Sequence, residues 1–167
     1  MALFSPHSAA SPGPQASTKT IDYFQKHQVG LQWRAFLVAA ASELFQSAEP
    51  EDVEAFWRQV GTHMAGIVAL ARLETLEELE DEINQALSGM DWGYAELTAL
   101  DDGIEILHSA APSVLPEDTA GYWTASFAAV LEGLYTQWFI DQGSQDHLAT
   151  RCIETPQPGS FLLRHGR

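Results

Sequence analysis

The stretch VLEGLYTQWF, Val130 to Phe139, is the part of the chain from which the rest of the fold is read. Taken at helical period with the residues before it, it sets Trp123, Phe127, Val130, Leu131, Leu134, Tyr135, Trp138 and Phe139 on one half of a helix. The other half carries Ala125, Ala129 and Gly133, small enough to let another backbone come close. A glycine inside a helix costs about 1 kcal/mol against alanine, so a close contact has to offset it. One apolar stripe suffices for a surface helix. A wide apolar arc with a smooth rear face predicts a helix packed on both sides, at the centre of an assembly rather than in the wall of an active site.

Upstream, the same period predicts four more helices. The first runs from about Ile21 to Gln46, with Val29, Trp33, Phe36, Leu37, Ala40 and Leu44 inward. The second starts at Pro50, Glu51 and Asp52, because proline tolerates the first turn and acids suit the positive end of the dipole. It turns Val53, Phe56, Trp57, Val60, Met64 and Ile67 inward and leaves Gly61 and Ala65 for close helix contact. Leu73, Leu76, Leu79, Ile83 and Leu87 mark the third, with Glu77, Glu78, Glu80, Asp81 and Glu82 as its outer face. Gly89 ends it, and Asp91 caps a fourth helix striped by Leu97, Leu100, Ile104 and Leu107. Pro112 to Pro116 is a connection, and Glu117 with Asp118 opens the fifth helix.

Beyond Gly143, the runs His147–Glu154 and Phe161–His165 flank TPQPGS and read as a β-hairpin over about 147–165. The expected fold class is mainly α (α+β): about five helices in a bundle with a small C-terminal β-hairpin. Residues 1–18, rich in Ser, Ala and Pro, form an irregular arm. Residues 19–167 form a single helical domain.

The 167 residues hold 23 acids against 8 basic residues, net −15. Such a chain repels nucleic acid and anionic membrane surfaces, whose phosphates demand Lys and Arg. Neutral polymers, cationic ligands and basic proteins stay open as partners. The single cysteine, Cys152, excludes an internal disulfide. No run approaches the roughly 20 apolar residues of a membrane span, and the N-terminal stretch has neither the basic start nor the apolar run of a signal peptide. The expectation is a cytoplasmic protein.

No constellation points to catalysis, a metal or a cofactor. Cys152 and His147 lie five apart in a predicted strand, on opposite faces. His63 has no second histidine one helical turn away. The acids of the third helix, and Asp101 with Asp102, read as solvated surface rather than a glycosidase pair. Of five tryptophans, Trp33, Trp57, Trp123 and Trp138 fall on inward stripes, leaving Trp92 the freest for a sugar ring.

Three segments carry more. VGTHMAG (Val60–Gly66), MDWGYAEL (Met90–Leu97) and VLEGLYTQWF together resemble the D subunit of the bacterial cellulose synthase complex, over roughly Trp33 to Leu163. The resemblance implies a non-catalytic accessory subunit that associates into an octameric ring. Such a ring organises synthase complexes and their β-1,4-glucan chains to promote crystalline cellulose. It implies partners among the other synthase subunits, with a basic or proline-rich accessory protein as a further candidate. Gly61, Ala65, Gly133, Tyr135 and Trp138 then serve helix packing within or between subunits. The Ser/Pro-rich arm has no counterpart in the family, and Phe4, Tyr23 and Phe24 are the glucan-contact candidates nearest it. The family's exported product makes the periplasm the alternative to a cytoplasmic place beside the inner-membrane synthase. An acidic helical adaptor that binds a partner protein without touching glucan is the alternative function.

Overall fold

Pro50 at the first helical position, followed by Glu51 and Asp52, starts a helix as expected; the computed structural model, which describes residues 23–25 and 27–166, runs this helix over Pro50–Ile67. We label it α2, after α1 at Leu31–Ser47. The single helix expected from Ile21 is broken: Tyr23–Gln25 and His27 are helical, and the chain then leaves the helix through Gln28–Gly30. Gly30 is extended, with φ −58° and ψ 139°, and stands as the N-cap of α1.

Helix α3, Leu76–Gly89, begins with a reciprocal cap: the Glu78 backbone N–H donates to Thr75 Oγ1, and Glu78 Oε2 accepts the Thr75 N–H. The Thr75 hydroxyl first, then the N–H groups of Glu74 and Thr75, hold the Glu78 carboxyl below its ordinary range.

The expected fourth helix does not exist. Its residues form β1, Tyr94–Leu100, and β2, Gly103–Ser109, paired antiparallel with Leu97 opposite Ile106 and Leu100 opposite Gly103. Leu97, Leu100, Ile104 and Leu107 fit a 3.6-residue period, yet Ile104, Ile106 and His108 also alternate. Asp101 and Asp102 before Gly103 supply the turn between two strands. Asp91 caps no helix; it lies in the preceding turn with φ 56°.

Helix α4, Tyr122–Gln142, contains the opening segment. Its first turn has no cap from the N-cap residue itself, and Asp118 Oδ2 instead accepts the N–H groups of Trp123 and Thr124. Strands β3, Ala149–Gln157, and β4, Ser160–Gly166, follow. They are not an appendix: β4 pairs with β2, Leu107 opposite Leu162, giving one antiparallel sheet of order β1-β2-β4-β3. The fold is therefore mixed α+β, and the helical bundle with an added hairpin is corrected to helices packed on a four-stranded sheet.

Helix α4 lies between α2 and the sheet. Trp138, Tyr135, Phe127, Leu131 and Leu134 are buried, and Phe127 stacks on Phe161 of β4 at 5.9 Å between ring centres. An element covered on both sides needs apolar surface nearly all round, which accounts for the composition of its sequence.

Candidate functional site

The rear face of α4 meets α2 at two glycines. A β-carbon on Gly61 would overlap the carbonyl of Val130, and one on Gly133 would overlap the carbonyl of Arg58. Each helix thus uses the other's missing side chain, and any larger residue would push the backbones apart. Ala65, one turn along α2, is also fully buried.

Beside this crossing sits a buried acid. Arg58 Nε donates to Glu132 Oε2 at 2.6 Å, the Cys152 N–H donates to Glu132 Oε1 at 2.9 Å, and Arg58 also reaches Glu54 at 2.6 Å. Burial, then the charge of Glu132, pushes the Cys152 thiol up to about 11. A thiol so poised is protonated at neutral pH and is no nucleophile. His147 is exposed in the turn that precedes β3, away from the strand that carries the thiol.

Helix side chains cover the first part of each edge strand of the sheet. Along β1, Asn84 bonds both backbone groups of Ala95, at 2.9 and 2.7 Å, and Glu80 accepts the Leu97 N–H at 2.6 Å. Along β3, Thr136 Oγ1 accepts the Thr150 N–H at 2.8 Å and Glu132 takes that of Cys152. Each helix supplies residues four apart, a rise of about 6 Å, to strand residues two apart, about 6.8 Å. Glu80 is thus not solvated surface but the cover of a strand edge.

His108 on β2 is fully buried, its Nδ1 2.8 Å from the Tyr135 hydroxyl and its Nε2 2.8 Å from the Trp92 carbonyl. Donation of Nε2–H to that carbonyl leaves Nδ1 to accept from Tyr135, a neutral imidazole. Burial accordingly lowers His108 to about 4. Tyr135 is a structural anchor here, and Trp138 Nε1 donates to the Val68 carbonyl at 2.9 Å. Gly93, in the Trp92–Gly93 turn, has φ 84° and no room for a side chain against Ser109 and Ala110.

Two grooves open beside this core. One, of about 430 Å³, lies between the Ser113–Asp118 loop and the Thr155–Gly159 turn. The other, of about 280 Å³, is walled by Trp33, Leu37, Trp92, Pro112 and Phe127, with Gln28 and Asp91 at its rim. Among the described residues, each is lined by a single titratable side chain, Asp118 or Asp91, so these residues pair no general acid with a base. Among the described residues, no cluster of three metal-binding side chains occurs.

The family model that describes the D subunit of cellulose synthase matches residues 19–166. The chain belongs to the cellulose synthase D-subunit family. It is similar to the cellulose synthase operon protein D of Komagataeibacter xylinus and to that of Komagataeibacter sucrofermentans, each 34% identical over 124 residues, 71% of this chain and 78% of the relative. A further K. xylinus protein of that name is 31% identical over 102 residues, 58% of this chain and 64% of the relative. Among the described residues, no helix is long and apolar enough to cross a membrane.

Within the family fold, the surface that stands out is α1. Leu31, Trp33, Ala35, Phe36 and Ala39 are all exposed, with Leu31 77%, Trp33 56% and Phe36 61% accessible. The inward placement expected for Trp33 and Phe36 is thereby corrected, as it is for Phe56 and Ile67 on α2, both exposed. Periodicity finds an apolar face but not whether a neighbour covers it. Tyr23 and Phe24 are exposed at 59% and 64%, and Phe4 lies outside the described residues. Sequence reasoning misses the roles of Glu80, Asn84, Glu132 and Thr136, because those roles exist only once the strands they cover are assembled into one sheet.

Proposed function

We propose that the chain is a non-catalytic scaffold of bacterial cellulose synthesis and secretion, whose copies associate into a ring that organises synthase complexes and their glucan chains. The exposed apolar arc of α1 is the observation that carries this reading. Helix α4 already satisfies both its faces inside the chain, whereas among the described helices α1 leaves three large apolar side chains, Leu31, Trp33 and Phe36, exposed together for another copy. Large exposed apolar patches mark association sites. The acidic surface suits a basic synthase subunit or accessory protein, and a cytoplasmic position at the inner-membrane complex fits a chain whose single thiol is unpaired.

Light scattering tests the reading. The wild-type chain should have a mass several times 18.3 kDa, and Leu31→Ser with Phe36→Ser should yield a folded monomer. A wild-type monomer at micromolar concentration would overturn it. In cells, the same variant should lower crystalline cellulose while glucan polymerisation continues.

A further inference from the structure

We propose that the outer face of the sheet is a second contact between copies, meeting the same face of another chain about a twofold axis that runs along the strands. The inference rests on the ring reading and adds the contact that joins copies already linked through α1. The inner face is fixed by Ile106 and His108 of β2 and by Phe161 and Leu163 of β4, all fully buried, with His108 on Tyr135 and Phe161 on Phe127 of α4. Alternation then turns Glu105, Leu107, Leu162 and Arg164 to the other side. Among the described residues, no helix packs on that side. Tyr94 of β1 and Ile153 of β3 stand exposed at its margins.

The strand register arranges this face in rows. One row runs Glu96, Leu107, Leu162, Glu154 across β1, β2, β4 and β3, and the next runs Thr98, Glu105, Arg164, Arg151. A twofold axis along the strands reverses the strand order in the copy but keeps each row over itself. Leu107 then faces Leu162 of the copy and Glu105 faces Arg164, each pair occurring twice. Thr98 faces Arg151, which stands beside Glu96 of the copy and offsets the approach of that acid to Glu154. The other in-plane axis would set Leu107 over Glu105 and Leu162 over Arg164, so charge selects the first. Arg151 and Arg164 are direct neighbours across β3 and β4, two of only 8 basic residues in a chain of net −15. Like charges so placed are unfavourable within one chain, and the carboxylate of a copy offsets them. Arg164 also bonds Asp102 of the β1–β2 turn, and a guanidinium keeps donors for a second carboxylate.

Size decides when the contact forms. Four strands of about seven residues present a face of roughly 450 Å², below the 800 Å² or so per partner of a stable interface. The contact is therefore weak between free chains and forms between copies gathered through α1, where it is effectively intramolecular.

Light scattering of two charge reversals, alone and mixed, tests the contact on the full chain. Glu105→Arg and Arg164→Glu should each stop at the mass of two chains, because each variant brings like charges face to face. An equimolar mixture should regain the wild-type mass, since each variant supplies the charge the other lacks. Within each chain the like charges stay side by side, so only a contact between chains accounts for that recovery. Wild-type mass for either variant alone would overturn the inference, as would a mixture that stays at two chains, and both results leave the ring reading standing. A wild-type monomer would end both. Should a reversal fail to fold, chains carrying Leu107→Cys are mixed with chains carrying Leu162→Cys under oxidation. A disulfide between chains is then expected, and its absence overturns the contact.

Discussion

The backbone carbonyl of Arg58 occupies the space where a side chain on Gly133 would begin, and the Arg58 guanidinium then bonds Glu132, the neighbour of that glycine. One residue of α2 thus touches two consecutive residues of α4 through different groups. The glycine sets the distance between the helices, and the ion pair sets their register.

Gly133→Ala should therefore destabilise the protein, although alanine is the better helix former by about 1 kcal/mol. Overpacking against a backbone that cannot rotate aside outweighs that gain, and a net loss of about 2 kcal/mol is expected in urea denaturation. Gly61→Ala should behave alike, and Gly133→Leu should not fold. An unchanged or raised urea midpoint for Gly133→Ala would refute the close crossing.

Removing the edge covers should both destabilise and cause aggregation. Asn84→Ala leaves both backbone groups of Ala95 without their partner, and Glu80→Ala does so for the Leu97 N–H. Each should cost about 1–2 kcal/mol. The double variant should gain thioflavin-positive aggregates over days, because an uncovered edge strand pairs with other chains. Glu80→Gln, which keeps an acceptor, should do neither.

The thiol of Cys152 should be slow to react. With its pKa pushed from 9.0 up to about 11, it has about a hundredth of the ordinary thiolate at pH 8, partly offset by the higher nucleophilicity of that thiolate. Reaction with a disulfide reagent should run roughly tenfold slower in the folded chain than in urea. Glu132→Gln should narrow the difference, since Glu132 is the charge that raises the thiol after burial.

Stability should fall on mild acidification. His108 is lowered by burial from 6.5 to about 4, and burial also lowers His165. Between those values the unfolded chain binds the proton and the folded chain does not. Stability from His108 is thus fully present above about pH 6.5 and is lost as pH falls toward 4, by about 3 kcal/mol in all. Urea midpoints measured from pH 7.5 to 4.5 should show the decline, and His108→Gln should flatten it while lowering the value at pH 7.5.

Much of the architecture is legible along the chain because the signals are local. Pro50 with Glu51 and Asp52, and the α4 pattern itself, are read within one or two turns. The error at residues 94–109 is equally local: Leu97, Leu100, Ile104 and Leu107 satisfy the helical period, and they mask the alternation of Ile104, Ile106 and His108. Reading these two strands as a helix deprives the C-terminal hairpin of its neighbour, and with it hides the sheet and the side chains that cover its edges.

Local pattern is enough to establish that Val130–Phe139 is a helix buried on two sides, that a glycine within it marks a close approach, and which family the chain resembles. What approaches that glycine is settled by the packing of distant elements. The partner of Gly133 is Arg58, 75 residues upstream, and no local pattern encodes a contact at that separation. Packing likewise turns Trp33 and Phe36 outward, although they are apolar at the same period as the core. Hydrophobic spacing records that a face avoids water, whereas the element that shields it is chosen by the packing of the whole chain and of its copies.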